Sequence, residues 1–144
     1  VTADVTEEIV PAPPEGFKPS ARGPYSTHNG PFFHRSSEAG LEHAFFVLPR
    51  HCNSIGIVHG GMLSTFLDGV LAGAVGRVVR SSCVTVHLSI DFLSMARAGE
   101  WVFGEAKVTR QTRDLVFVEG VIRVGSKDVL RGSGIFKPMK KAVA

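Results

Sequence analysis

One stretch decides the fold: HGGMLSTFLDGVLAGAVGRVV, His59 to Val79. Apolar residues recur at Met62, Phe66 and Val70, and again at Leu63, Leu67, Leu71, Ala74 and Val78, the three-and-four spacing of an α-helix. Gly60 and Gly61 stand at its start, where missing side chains leave the first amides uncovered. Gly69, Gly73 and Gly76 lie toward one side of it. Each costs about 1 kcal/mol relative to alanine, so a close approach by a sheet or another helix is expected there. A helix this long and apolar needs cover on most of its sides.

Outward from the helix the pattern turns strand-like. Cys83–Met95 alternates, with Val84, Val86, Leu88, Ile90 and Phe92 on one face and Thr85, His87, Ser89 and Asp91 on the other. The polar face reads either as solvated or as one that meets another subunit or lines a ligand channel. Gly99–Arg110, Leu115–Val124 and Val129–Phe136 follow as three more strands, and their short connections imply antiparallel neighbours. Before the helix, Phe32–Ser36 and Leu41–Leu48 read as strands around a turn at Glu38–Gly40. The predicted class is α+β: five or six antiparallel strands curled around one central helix. Upstream, six of the eight prolines fall within Pro11–Pro31, which predicts an extended, surface-wrapping arm, with a marginal helical turn at Thr6–Ile9. The expected organisation is an extension over 1–30, a domain over 31–138 and a tail over 139–144.

Composition narrows the function classes. The 144 residues make one domain, and 44% hydrophobic with 20% charged residues argues against disorder. A net charge of +3, spread along the chain, weakens a nucleic-acid reading. No uninterrupted apolar run of roughly 18–20 residues is read as a membrane span, and no signal peptide is seen. Two cysteines are too few for a disulfide framework, which points to a reducing, cytoplasmic setting.

The chemistry-bearing stretch is HCNSIGIVHGGM, His51 to Met62, followed by Asp68. Asp68 has apolar neighbours and no lysine or arginine within one helical turn. A carboxylate there costs free energy unless partnered, so it is either bonded to a neighbouring group or functional. The amides at Gly60 and Gly61 suit a developing oxyanion, or are an ordinary glycine-rich helix start. Asn53 could donate to a carbonyl or close an Asx turn. His59 could orient a ligand or bond the helix start. Adjacent His51 and Cys52 show no second feature that would activate a thiolate. The histidines have no close ligand pairing, and there is no phosphate loop or dinucleotide fingerprint, so neither metal nor cofactor is expected.

Taken together these residues resemble the hotdog-fold thioesterases, in particular the PaaI-like branch of acyl-CoA thioesterases. The resemblance rests on His51-Cys52-Asn53, Gly56, Val58 to Leu63 and Phe66-Leu67-Asp68, with support from the strand after the helix and from PEGF and NGPFFHR in the arm. It implies Asp68 as general base or nucleophile, Gly60 as the amide polarising the thioester carbonyl, and Asn53 and His59 as groups holding the thioester and the helix start. It further implies Thr85 as a hydroxyl beside the attacking water, with Gly61 and Arg113 as substrate contacts. Arg113 follows Thr112 where the family often has glycine. The implied substrate is an acyl-CoA.

Helix geometry adds an independent expectation. Gly60 and Asp68 lie about 12 Å apart at 1.5 Å per residue, too far to serve one carbonyl. Two copies related by a two-fold axis could combine Asn53 and Gly60 of one with Asp68 and Thr85 of the other, as a homodimer or a dimer of dimers. Two other readings stand beside this one: a non-catalytic acyl-CoA-binding module, and a hydratase or dehydratase pairing His59 with Asp68.

Overall fold

In this computed structural model, which describes residues 8–140, the helix runs Gly60–Val79 with His59 as its N-cap. The elements in chain order are β1 (Lys18–Pro19), α1 (Pro24–Asn29), β2 (Phe33–Ser37), β3 (Gly40–Phe46), α2 (Gly60–Val79), β4 (Cys83–Phe92), β5 (Trp101–Gln111), β6 (Val116–Val124) and β7 (Lys127–Pro138). The strands form one seven-stranded sheet, ordered β1-β2-β3-β5-β6-β7-β4, with every pairing antiparallel. Leu63, Phe66, Leu67, Val70, Leu71 and Val75 of α2 are buried against it. This is the hotdog architecture, with one strand more than expected because the arm contributes β1.

The sheet accepts the helix through its own glycines. A Cβ at Gly104 would lie 2.7 Å from Val70, one at Gly120 2.8 Å from Leu71, and one at Gly132 2.5 Å from Leu67. The large side chains of α2 therefore lodge in gaps where three strands carry no side chain. The expectation that the helix glycines mark its close approach to a sheet or second helix holds at Gly73, which packs on His43 of β3, and fails at Gly69 and Gly76. Gly69 and Gly73 face side chains, Arg22 and His43, and nothing lies within 4 Å of a Cβ at Gly76. A second correction concerns membranes: α2 is long and apolar enough to cross one, with a mean hydropathy of 1.4 over its best window. Here its apolar stripe packs on a sheet instead.

The alternation expected along β4 breaks at a bulge. Thr85 pairs with Phe136 and His87 with Ile135, which leaves Val86 without a partner. The extra residue shifts the pleat, so Thr85 turns toward the helix while Leu88 and Ile90 further along pack on the core.

The arm wraps the domain. Phe17 is buried with Phe33 and Ala44 in a small second core, and Tyr25 of α1 pairs its hydroxyl with that of Thr65 on α2 at 2.9 Å. Of the helical turn expected at Thr6–Ile9, Thr6 and Glu7 fall outside the described residues while Glu8 and Ile9 lie in no helix, and most of the 139–144 tail is likewise outside them.

Candidate active site

Two of the expected residues meet directly. The Thr85 hydroxyl donates to Oδ1 of Asp68 at 2.6 Å, and Oδ2 has no hydrogen-bond partner among the described residues. The bulge at Val86 makes this contact possible, because an unbroken pleat would carry the Thr85 face away from the helix. The carboxylate is half-buried, so it has one fixed oxygen and one that a solvent molecule can reach.

The helix start is organised by His59. Its Nδ1 accepts the Gly61 amide at 2.8 Å, and its carbonyl accepts from Met62 and Leu63. Of the two glycine amides only that of Gly60 is unengaged among the described residues, and it lies at the positive end of the helix dipole. The Gly61 amide, expected to contact substrate, is used internally. Phe92 flanks the opening, its ring 3.5 Å from where a Cβ on Gly60 would be.

Asn53 fills both roles open to it. Its Oδ1 accepts from the amides of Ile55 and Ile57 at 3.1 and 3.2 Å, closing the loop before the helix. That fixes the side-chain orientation and leaves its NH2 group exposed as a donor. His51 is structural: Nδ1 accepts from the Leu48 amide at 3.0 Å, Nε2 donates to the Asn29 carbonyl at 2.7 Å, and burial holds the ring below its ordinary pKa. Burial likewise raises the Cys52 thiol, whose Sγ–H points at the Leu48 carbonyl. With both His51 nitrogens occupied, no thiolate pair exists. Arg113 lies exposed in the β5–β6 turn and makes no hydrogen bond or ion pair among the described residues.

Sequence reasoning missed two residues near Asp68. Arg22 of the arm donates from Nη1 to the Gly69 carbonyl at 2.6 Å; burial lowers the pKa of its guanidinium, and the nearby Asp68 carboxylate opposes that shift. His43 of β3 packs against Gly73 and is 4% exposed. A lone arginine in a proline-rich arm and a lone histidine in an apolar strand carry no spacing signal that links them. The only clue was the unexplained pair Gly69 and Gly73.

Known proteins resemble this chain in sequence and in fold. The family model "Thioesterase superfamily" matches residues 55–130. PA0474 of Pseudomonas aeruginosa, which carries a provisional name as an esterase, is 36% identical over 127 residues, 85% of this chain and 95% of its own length. A Ralstonia eutropha crystal structure, described provisionally as a thioesterase related to phenylacetic acid degradation, superposes with a TM-score of 0.72. It is 28% identical and covers 81% of this chain and 92% of that one. The Bacillus halodurans protein BH2602, solved with CoA, superposes with a TM-score of 0.69 at 25% identity, covering 75% of this chain and 74% of that one.

Proposed function

The chain belongs to the thioesterase superfamily and is a thioesterase; from that premise we propose that it hydrolyses acyl-CoA thioesters with water activated by Asp68. The observation that carries this reading is the Thr85–Asp68 contact of 2.6 Å, which fixes one carboxylate oxygen and leaves the other for a water. In the reaction, Asp68 takes a proton from that water as the oxygen attacks the thioester carbonyl. The carbonyl oxygen gains negative charge and receives the Gly60 amide, with the Asn53 NH2 group as a second donor. Collapse breaks the C–S bond, CoA leaves as the thiol after taking up a proton, and the acid is released. The CoA bound to the Bacillus halodurans neighbour supports CoA as the carrier.

The site is proposed to be shared between two copies. β4 is an edge strand, and Val84, Val86, Phe92, Leu93 and Met95 along and just beyond it are 45–56% exposed. Such an edge invites pairing, and a second copy would cover it while bringing its own Gly60 toward Asp68. The two free cysteines fit a reducing, cytoplasmic setting.

The test is free-thiol release across aryl-, short- and long-chain acyl-CoAs by wild type and Asp68→Asn, with solution mass measured for both. Turnover is expected to vanish in the variant while mass and fold persist. Wild-type-like hydrolysis by Asp68→Asn refutes the mechanism.

A further inference from the structure

The flank of α2 next to Asp68 holds a group of polar side chains that the hydrolysis above does not use. His43 is 4% exposed, and its Nε2 has no hydrogen-bond partner. Its Nδ1 faces an Arg22 nitrogen at 3.5 Å. A guanidinium only donates, so the lone pair lies on Nδ1 and the proton on Nε2, which leaves a buried donor unsatisfied. Burial, with the charges of Arg22 and His34, holds His43 at a pKa of about 3, so it stays a neutral donor at ordinary pH. Arg22 spends one nitrogen on the Gly69 carbonyl and has no ion-pair partner among the described residues.

These groups border a small cavity of about 30 Å³, completed by Ser26, Thr65 and the apolar walls of Phe32 and Phe66. That is room for one small polar group rather than a whole ligand. The polar groups around it are N–H donors and hydroxyls, and no carboxylate lines it. Gly69 lines it, and Gly73 makes room for two of its walls: a Cβ on Gly73 would come within 2.7 Å of the His43 ring and 3.0 Å of Arg22. Two helix glycines and a desolvated arginine each cost stability, and the arginine beside the cavity meets only neutral acceptors, the Gly69 carbonyl and His43 Nδ1, among the described residues.

We infer that this pocket receives a carboxylate at the far end of the acyl group, so that the enzyme prefers ω-carboxyacyl thioesters over unsubstituted ones of equal length. The inference rests on the proposed thioesterase site. Asp68 is close enough to act electrostatically on Arg22, which together with Gly69 lines the pocket, so the path inferred for a short acyl chain runs from its carbonyl at Asp68 toward Arg22. A carboxylate matches the guanidinium fork better than a hydroxyl would, and the Ser26 and Thr65 hydroxyls that line the cavity can donate beside it.

The experiment compares kcat/KM within two length-matched pairs, glutaryl-CoA with valeryl-CoA and adipyl-CoA with hexanoyl-CoA. The wild type is expected to favour the carboxylated member of at least one pair by about tenfold, with Arg22→Gln abolishing the preference and Arg22→Lys keeping part of it. Thermal midpoints of both variants check that they fold. A wild-type ratio near one in both pairs, which would mean the pocket holds only water, overturns the inference, as does a preference that survives Arg22→Gln. Hydrolysis of plain acyl-CoAs without a carboxylate preference sinks this inference and leaves the thioesterase reading standing. If the wild type hydrolyses none of the four, the function reading has failed, and calorimetry with free glutarate and valerate decides the pocket. Glutarate binding that is lost in Arg22→Gln supports it, and equal or absent binding of the two acids overturns it.

Discussion

The three glycines of α2 form a substitution series in which chemistry is constant and surroundings differ. Replacing any of them by alanine should gain about 1 kcal/mol of intrinsic helix stability. At Gly76 nothing lies within 4 Å of the new Cβ, so the full gain is expected, raising Tm by about 2–4 °C for a chain of this size. At Gly69 the one neighbour is the end of the Arg22 side chain at 3.4 Å, which can yield, and most of the gain should remain. At Gly73 the Cβ would sit 2.7 and 2.9 Å from two atoms of the His43 ring, and that ring is held in the buried part of β3. Overpacking of that kind costs about 1–3 kcal/mol, so Gly73→Ala should be neutral to about 2 kcal/mol less stable than wild type. The expected order of stability is Gly76→Ala, Gly69→Ala, Gly73→Ala. Urea unfolding at one protein concentration, fixed because association would contribute, measures it. A Gly73→Ala protein as stable as Gly76→Ala would refute the placement of His43 against the helix, and with it the pocket drawn around Arg22.

Other outcomes follow from single contacts. Asn53→Asp keeps an oxygen to accept from Ile55 and Ile57 but loses the NH2 donors, so stability should hold within about 0.5 kcal/mol while turnover falls about 100-fold. Unchanged kcat/KM in thiol-release assays would remove Asn53 from the oxyanion site. Stability should fall with acid through His43: between about 3 and its unfolded value of 6.5 the unfolded chain binds a proton that the folded chain excludes. That amounts to about 2 kcal/mol lost by pH 5, with His51 acting in the same direction, and a urea midpoint that stays flat from pH 7 to pH 5 would contradict it. Mixing Asp68→Asn with Asn53→Asp subunits by co-refolding should restore roughly a quarter of wild-type activity, because half the dimers are mixed and each carries one intact site. No recovery would place the whole site within one chain.

The parts legible in the sequence were those with a period. The apolar spacing of α2 and the strand alternation gave the helix within a residue of its observed start and the strands within a few residues of theirs. Where the period broke, legibility failed. The bulge at Val86 has no composition signal, so Thr85 was placed on the face opposite Leu88, although it bonds a helix residue. The glycines that admit the helix, Gly104, Gly120 and Gly132, stand singly in three strands, and only the assembled sheet aligns them beneath Val70, Leu71 and Leu67. Arg22 and His43 are 21 residues apart, and their meeting is a property of how the arm folds back over α2. Asp68 stood out for the opposite reason: it broke an apolar pattern, and a broken pattern on a strongly periodic helix is visible without a structure.

How α2 divides its circumference limits where a second copy could sit. At about 100° per residue, Leu63, Leu67, Leu71 and Val70 face the sheet, while Gly69 and Gly73 turn toward the arm and β3. Asp68 lies a step of about 100° from Gly69, on the flank toward β4, where Thr85 meets it. That flank adjoins an unpaired strand edge bearing exposed Val84, Val86 and Phe92, whereas Tyr25 and Arg22 already occupy the neighbouring one, toward β3. A copy docking along β4 would therefore reach Asp68 without displacing the arm, and a copy docking on the arm side would have to strip Arg22 from Gly69 first. The same division explains why the carboxylate and the Arg22–His43 pocket can work on one acyl group without competing for space: the partner approaches one flank, and the arm closes the other. Removing the arm should consequently change which acyl groups are accepted more than whether thioesters are cleaved.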